Sequence, residues 1–409
     1  MVFSRGQGCY LYDSTGKLYL DFLGGIAVNA LGYSHPRLVR VIQREANRAV
    51  HLSNLFHNPF QGPLAKKLAE WSGLDRVFFT NSGTEAIEGA LKLARAYAKR
   101  DAAPHALPKT GILALENSFH GRTFGAVSIT YPAKYREPFE PLVPGAKFVR
   151  FNDVADLETK FDDEVGAIVI ETIQGEGGIS AVSGDFWAHA RELATGHNAA
   201  LIADEIQCGL GRTGGKFAYQ KFNGKPDIVT VAKPLAGGLP LGAVIANEKF
   251  AEAFTPGIHG TTFGGGPLVC AVALEFLKTV EDEKLLENVR ERGAELKSGL
   301  EKLKANFDFI REVRGEGLIL GLDLSIEGAP IVEEALRQGL IINCTHQHIL
   351  RLLPPFVIRS REAREFLNTL SNVLAKAPRK AWEPSQEAHT QDTSRTDETA
   401  GARAQAVAR

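Results

Sequence analysis

The feature that most constrains the fold is an alternation of short apolar segments with helical ones in the middle of the chain. Each apolar run has Gly, Pro or Asn near its ends, and helical patterns such as Thr84–Lys99 and Asp185–Ala194 separate several of the runs. Buried strands that alternate with helices are typical of an α/β fold: a mostly parallel sheet with helices on both faces. The predicted strands are Arg76–Thr80, Gly111–Leu115, Gly166–Glu171, Ala199–Asp204, Asp227–Ala232 and Leu241–Ala246.

A different pattern begins near Pro267 and predicts a smaller α+β domain. The N-terminal hairpin of Cys9–Asp13 and Lys17–Leu20 is expected to join it. We therefore predict four parts: residues 1–40 and 271–377 as the small domain, 41–270 as the large domain, and 378–409 as a polar, disordered tail. The C-terminal helices are predicted at Leu268–Thr279, Asp282–Asn306 and Glu362–Ala375, and the strands at Phe309–Arg314, Leu318–Leu324, Ile341–Asn343 and Ile349–Leu353.

Composition and charge argue against several classes of function. The formal net charge of the 409 residues is −1, so nothing electrostatic favours a nucleic-acid or membrane partner. No apolar run has the length of a membrane span, and the first eight residues lack the apolar segment of a signal peptide. The four cysteines have no CxxC spacing, which predicts separate reduced thiols in a cytoplasmic protein and no metal site.

Two strand ends carry residues that together indicate chemistry. Asp204 ends one apolar run, and Lys233 follows another and precedes a Gly-rich stretch. Ligands of open α/β sheets bind at this edge, and a lysine with a lowered pKa can form a Schiff base. Enzymes that use pyridoxal 5′-phosphate (PLP) pair such a lysine with an acid at the pyridine nitrogen. Alone, Asp204 could be a helix cap or a metal ligand, and Lys233 a loop residue; the pair predicts a PLP site.

A long segment resembles the signature of a known family. Leu201–Gly215 followed by Pro226–Gly238 resembles the class-III (subgroup II) aminotransferases, which have PLP fold type I. The similarity runs from about Gly6 to about Ala375. It implies a PLP-dependent aminotransferase with a large domain, a smaller domain and active sites shared across a homodimer.

The resemblance assigns the residues around the ring. Lys233 would form the Schiff base with the cofactor and shuttle the proton, and Asp204 would pair with the pyridinium nitrogen. Gln207 would contact the 3′-oxygen of the ring, while Ile206 and Phe119 would cover its two faces. A PLP-fold protein without catalysis, acting as a scaffold, is the non-enzymatic alternative, and the intact Lys233, Asp204 and Gln207 argue against it.

A separate turn would hold the phosphate. Ser82, Gly83 and Thr84 open a helix, where free N–H groups and the positive end of the dipole favour an anion. A capping box from Ser82 to Glu85 is the structural alternative, and it is compatible with phosphate binding. By resemblance, Thr262 would reach the phosphate in the neighbouring subunit.

Substrate recognition is also assigned by resemblance. Arg122 would bind a substrate carboxylate, and Arg351 would bind the α-carboxylate of glutamate, with Glu176 as the partner of Arg351. Gly25 stands where enzymes of this family that act on free ornithine carry tyrosine, so a longer, acylated substrate is expected. The implied reaction converts N2-acetyl-L-ornithine and 2-oxoglutarate into N-acetyl-L-glutamate 5-semialdehyde and L-glutamate, in arginine biosynthesis. Succinylornithine, succinyldiaminopimelate, ornithine and 4-aminobutyrate remain alternative donors.

Overall fold

The computed structural model describes residues 1–102 and 107–378. The predicted polar tail therefore lies, from residue 379 onward, outside the described residues. No helix in the described part is both long and apolar enough to span a membrane.

The described residues form seventeen strands, numbered here in chain order. The strands are β1 Phe3–Gln7, β2 Tyr10–Asp13, β3 Leu18–Asp21, β4 Arg76–Thr80, β5 Gly111–Leu115, β6 Ala146–Val149, β7 Val165–Glu171, β8 Ile173–Gln174, β9 Ser180–Ala181, β10 Ala200–Asp204, β11 Ile228–Val231, β12 Gly242–Ala246, β13 Ile310–Glu316, β14 Ile319–Leu324, β15 Leu340–Ile341, β16 Asn343–Thr345 and β17 Ile349–Leu352.

All five predicted helices are present, with ends that differ by a few residues, whereas Pro36–Ala46, Gln61–Ser72, Ala329–Arg337 and the shorter helices were not predicted. The principal helices are Pro36–Ala46, Gln61–Ser72, Gly83–Arg100, Gly184–Gly196, Pro267–Asp282, Leu285–Asn306, Ala329–Arg337 and Ser360–Ala375. The shorter ones are Phe124–Ser128, Ala133–Arg136, Val154–Lys160 and Glu248–Ala251, with 3₁₀ turns at Glu137–Phe139 and Ala218–Lys221.

A seven-stranded sheet forms the centre of the molecule, in the order β4-β12-β11-β10-β7-β5-β6. Neighbouring strands from β11 to β6 are parallel, and only β12 runs against both of its neighbours. This confirms the predicted mostly parallel sheet, and all six predicted strands belong to it. The edge strand β6 was not predicted because only Val149 of its four residues is buried, so it lacks an apolar run.

The alternation of side chains along β10 explains why helices cover both faces of this sheet. Ala200 and Ile202 pack in one core with the helix Gly83–Arg100, whereas Leu201 and Ala203 pack in the other core with the helix Gly184–Gly196. Successive side chains of a strand point to opposite faces, so a strand buried on both faces reads as one continuous apolar run.

The described residues form three smaller sheets besides the central one: two of four strands and the two-stranded pair β8-β9. The antiparallel sheet β13-β14-β17-β16 carries the C-terminal strands, and the N-terminal hairpin continues through β3 to a parallel pairing with β15. The single strand predicted at Ile341–Asn343 is wrong, because the chain divides there between β15 and β16, which belong to different sheets. The boundaries at residues 40, 270 and 377 stay a prediction.

Candidate active site

A cavity of about 410 Å³ opens at the carboxyl ends of the parallel strands. Asp204 ends β10, the neighbouring Glu171 ends β7, and Lys233 follows β11 by two residues. The cavity brings together ten of the predicted site residues, which are Ser82, Gly83, Thr84, Phe119, Arg122, Glu176, Asp204, Ile206, Gln207 and Lys233. Arg351 does not line the cavity itself but forms an ion pair with Glu176, which does. Thr262 is not among the residues that line the cavity.

Asp204 is held by a histidine that sequence reasoning did not assign to the site. Oδ2 of Asp204 lies 2.7 Å from Nδ1 of His120, and both side chains are buried. Oδ1 accepts from the N–H of Ile206 (3.1 Å) and from the hydroxyl of Thr230 (3.4 Å). These contacts fix the carboxylate at the floor of the cavity. The sequence signal for His120 was its position next to Phe119, but its partner lies 84 residues away.

Glu171 is a second residue that sequence reasoning missed. It lies beside Asp204 in the sheet register and lines the cavity. Its carboxylate accepts from the N–H groups of Phe119 (2.9 Å) and Gly175 (3.2 Å), so it connects two loops that carry predicted site residues. Burial raises the pKa of Glu171 above its ordinary value, and the neighbouring charge of Asp204 raises it further, whereas His120 lowers it.

Lys233 is half-buried at the cavity wall. Burial lowers the pKa of its amine from the ordinary value, while attraction to Asp204 and Glu176 partly opposes that shift. No carboxylate among the described residues lies within ion-pairing distance of Nζ. A lysine whose pKa is lowered by burial and whose amine is not tied to a counter-ion is suited to act as a nucleophile and base.

The helix Gly83–Arg100 presents its N-terminus to the cavity. Ser82 is its N-cap and accepts from the N–H of Glu85 at 3.3 Å, while the Glu85 carboxylate accepts from the N–H of Asn81 at 2.6 Å. In the described chain, the N–H groups of Gly83 and Thr84 have no acceptor. The helix is therefore capped and still offers two donors, which suits a phosphate. A Cβ on Gly83 would lie 3.0 Å from the side chain of Ile206, so the turn requires a small residue.

Gln207 provides a further polar group suited to a bound cofactor. Its Oε1 is buried without a hydrogen-bond partner in the described chain, although its side chain lines the cavity. A buried polar atom without a partner is costly, so a ligand that bonds it is favoured. Together with the free N–H groups at the helix N-terminus, the Asp204 carboxylate and the Lys233 amine, this acceptor completes a set of polar groups that fits the polar atoms of PLP.

Glu176 and Arg351 form an ion pair, with Oε1 of Glu176 at 2.5 Å from Nη1 of Arg351. The side chain of Arg351 is 1% exposed and that of Glu176 is 33% exposed. Arg351 also donates to the carbonyl of Gly175 (3.1 Å) and to Oδ1 of Asn343 (3.2 Å). The carboxylate is therefore the more exposed partner of a guanidinium that the strand β17 holds in the interior.

Arg122 lies at the cavity mouth and is exposed. Its guanidinium stacks on the ring of Tyr135, with 3.8 Å from Cζ to the ring centroid, and lies 5.6 Å from the ring of Phe119. No carboxylate of the described residues forms an ion pair with it. Its edge is available to a substrate carboxylate, for which the planar fork of arginine is suited.

The remaining predicted residues lie beside the cavity. Thr262 is exposed, and the adjacent Thr261 accepts from Nδ2 of Asn81 at 3.0 Å, so this loop borders the proposed phosphate site. Gly25 does not line the cavity, although Val28 does. Gly25 lies in a left-handed turn of four residues with positive φ, from Gly24 to Ala27, where a side chain is strained.

Comparison with known proteins identifies the family. The sequence matches the family described as aminotransferase class-III over residues 1–374. It is 44% identical to acetylornithine aminotransferase from Methanocaldococcus jannaschii, over 92% of this chain and 94% of the relative. A solved structure of N-acetylornithine aminotransferase from Stenotrophomonas maltophilia covers 91% of this chain with 36% identity and a TM-score of 0.80, and this chain covers 95% of it. Ornithine aminotransferase from Toxoplasma gondii superimposes with a TM-score of 0.87 at 34% identity, with 91% of this chain and 90% of that one covered. This chain is therefore a member of the class-III aminotransferases, the PLP-dependent family whose signature its sequence carries.

Proposed function

We propose that this chain transfers the terminal amino group of N2-acetyl-L-ornithine to 2-oxoglutarate, giving N-acetyl-L-glutamate 5-semialdehyde and L-glutamate in arginine biosynthesis. One observation carries the proposal: the buried Arg351 is covered by Glu176 at the edge of the cavity that contains Lys233. Relatives named acetylornithine aminotransferase, at 44% and 45% identity, support this choice of donor.

Bound PLP supplies an aldehyde for the amine and a ring that withdraws electrons from the reacting carbon. Gly83 and Thr84 would hold the phosphate with their N–H groups, and Gln207 would bond the ring hydroxyl. Asp204 would hold the proton on the ring nitrogen, and the 2.7 Å contact with His120 keeps its carboxylate oriented for that task.

Lys233 would move the proton. Lys233 lines the cavity and burial lowers the pKa of its amine, which supports a role in taking a proton from the carbon bearing the reacting nitrogen. The nearby carboxylates of Asp204, Glu176 and Glu171 partly oppose this lowering of the pKa.

The two substrates would differ in whether they offer a carboxylate to Arg351. Glutamate brings an α-carboxylate next to its reacting amine, whereas the terminal amine of acetylornithine has only methylene groups there. Glu176 would neutralise Arg351 for acetylornithine, since an unpaired buried charge is costly, and would give way to the carboxylate of glutamate. Arg122, at the mouth, would hold the distant carboxylate of either substrate.

The proposal includes a homodimer with shared active sites. Large apolar side chains are exposed around the loop that carries Thr262: Val50 is 60% exposed, Phe56 65% and Phe263 64%. A partner that covers this face would remove apolar area from water and could receive Thr262 at its own phosphate site. A cytoplasmic location belongs to the same proposal, and the four free cysteines are consistent with it.

Steady-state measurement of amino donors with 2-oxoglutarate tests the function. We expect N2-acetylornithine to have the highest kcat/KM, and ornithine, N-succinylornithine, succinyldiaminopimelate and 4-aminobutyrate to have lower values. The structural likeness to an ornithine aminotransferase makes ornithine the second candidate. A higher kcat/KM for ornithine than for its acetylated form would refute the proposed donor, and absence of transfer from every donor would refute the function.

A further inference from the structure

Arg212 is a buried charge with no counter-ion among the described residues. Its side chain is among the largest that are less than 2% exposed, and Nη2 has no hydrogen-bond partner there. Burial lowers the pKa of its guanidinium to about 9. A buried, unpaired arginine is destabilising unless its hydrogen bonds do something that an apolar residue could not. The Gly-rich loop that carries Arg212 follows Asp204 at the end of β10 and leads to the beginning of β11, the strand that precedes Lys233.

The hydrogen bonds of Arg212 go to two backbone carbonyls at the end of another sheet. Nη1 donates to the carbonyl of Leu318 at 3.0 Å and to that of Pro354 at 2.5 Å. The guanidinium also stacks on Phe356, with 4.6 Å from Cζ to the ring centroid. The backbone of Arg212 adds a third contact, because its carbonyl accepts from the N–H of Leu318 at 3.0 Å.

The register of β14 and β17 explains why these carbonyls need a donor. Leu320 lies opposite Leu352, so the same register places Leu318 opposite Pro354. Residues directly opposite each other in such a pair exchange two N–H···O bonds at every second position. Proline has no N–H, so Pro354 cannot donate to the carbonyl of Leu318. The N–H of Leu318, which would bond the carbonyl of Pro354 in return, donates to the carbonyl of Arg212 instead. Both ladder carbonyls therefore need another donor. Arg212 donates to both.

The strand that Arg212 closes also carries Arg351. Arg351 is three residues before Pro354 and pairs with Gly321 of β14. Beyond it, the N–H of Leu353 donates to the carbonyl of Phe22 (2.6 Å), next to the left-handed turn that precedes Val28 at the cavity. The end of β17 is therefore held on one side by Arg212 and on the other by the N-terminal segment.

We propose that Arg212 is a positioning residue that replaces the missing proline N–H, closes the β14–β17 ladder and thereby fixes Arg351 toward the substrate. This inference rests on the proposed function of Arg351 for its kinetic consequence and on the geometry alone for its effect on the strand. Arg212 touches neither substrate nor cofactor by this reasoning; it acts through the backbone of β17.

The test compares Arg212→Lys and Arg212→Met with Arg290→Met in the full-length holoenzyme. Lysine keeps the charge without the planar fork, and methionine removes the donors. Arg290 is a matched control because its Nη1 donates to the carbonyl of Gly214 in the same loop at 2.5 Å, but it is exposed and donates no hydrogen bond to β17 among the described residues. Hydrogen–deuterium exchange of the segment 349–353 reports the strand, and KM for 2-oxoglutarate and for N2-acetylornithine reports the site.

We expect exchange in this segment to be about tenfold faster in Arg212→Lys, because a hydrogen bond from a charged donor contributes about 1.5 kcal/mol or more. KM for 2-oxoglutarate should rise by a similar factor, and the value for N2-acetylornithine should rise less. Arg290→Met should change neither. Should Arg212→Met not fold, Arg212→Lys decides alone.

The inference is overturned if hydrogen–deuterium exchange of the segment 349–353 is unchanged in Arg212→Lys. It is also overturned if Arg290→Met accelerates this exchange as much as Arg212→Lys does. An Arg351→Lys variant separates the inference from the proposed function. If Arg351→Lys raises KM for 2-oxoglutarate and Arg212→Lys does not, Arg212 does not position Arg351. If Arg351→Lys leaves that KM unchanged, the proposed function of Arg351 is wrong, and the exchange result decides whether Arg212 closes the ladder.

Discussion

Replacement of Glu176 by alanine should separate the two half-reactions of this enzyme. Among the described residues, the change leaves Arg351, whose side chain is 1% exposed, with only the carbonyl of Gly175 and Oδ1 of Asn343 as hydrogen-bond partners. In the acetylornithine half-reaction no substrate carboxylate replaces the lost one. In the glutamate half-reaction the substrate's own α-carboxylate does, and it no longer has to displace Glu176.

The burial of the pair sets the expected size of the effect. Removal of one partner of a fully buried ion pair costs about 3–5 kcal/mol. The side chain of Glu176 is 33% exposed, so water screens part of this, and we take about 2 kcal/mol. That corresponds to a loss of about 30-fold in kcat/KM for acetylornithine. The rate with glutamate should be unchanged or higher.

Single-turnover stopped-flow measurement of the cofactor absorbance, with each amino donor separately, provides the assay. Glu316→Ala is the control, because Glu316 forms an equally short ion pair with Lys221 (2.5 Å) but both side chains are at the surface, where such pairs contribute little. Equal losses in the two half-reactions of Glu176→Ala would refute the reasoning, since a general loss of structure or activity would then suffice.

Other substitutions test the remaining parts of the site. Lys233→Ala should fold and lose nearly all turnover, and peptide mapping after borohydride reduction of the wild type should find the pyridoxyl group on Lys233; another labelled lysine would contradict this. Asp204→Asn should slow the proton-abstraction step in stopped flow with little change in substrate affinity. His120→Asn should slow the same step by about tenfold, because the 2.7 Å contact that orients the carboxylate is lost. Wild-type rates in both variants would contradict these roles of Asp204 and His120. Thr262→Ala should weaken PLP retention in dialysis, and a fully active monomer at high dilution would exclude a shared site. Burial raises the pKa of Glu205 from 4.5 to about 7, so between these pH values the folded protein keeps a proton that the unfolded chain has released. The free energy of unfolding should therefore decrease as the pH rises through this range, by up to about 3 kcal/mol. Urea unfolding at pH 5 and pH 8 should show a smaller decrease in Glu205→Gln than in the wild type.

The central sheet could be predicted from the sequence because each of its buried strands is a short, continuous run of apolar residues. β7 and β10 are buried along their whole length, so each appears as an apolar run whatever its neighbours are. The same holds for the site residues that end these strands, since the carboxyl edge of a parallel sheet brings such residues together. The edge strands β1 and β6 show no such run, because water covers much of each.

The partners of the site residues, by contrast, were decided only by the tertiary structure. His120 contacts Asp204 across 84 residues, and the Glu176 carboxylate meets Arg351 across 175. The family resemblance could supply the second pair but not the first, and neither periodicity nor composition identifies a contact between residues so far apart in the chain. Glu171 looked like the last residue of a strand, and its links to two loops exist only once those loops have folded over the sheet.

Arg212 shows the same division most clearly. The sequence places an arginine in a Gly-rich loop, where a charged residue is usually exposed. The fold buries it because the proline at position 354 leaves the β14–β17 ladder without a donor, and the loop passes close enough to supply one. Local sequence thus determined which segments became buried strands and which residues ended them. Long-range packing decided which polar groups met, because a hydrogen bond depends on distances of a few ångströms between segments that the chain itself leaves free to be far apart.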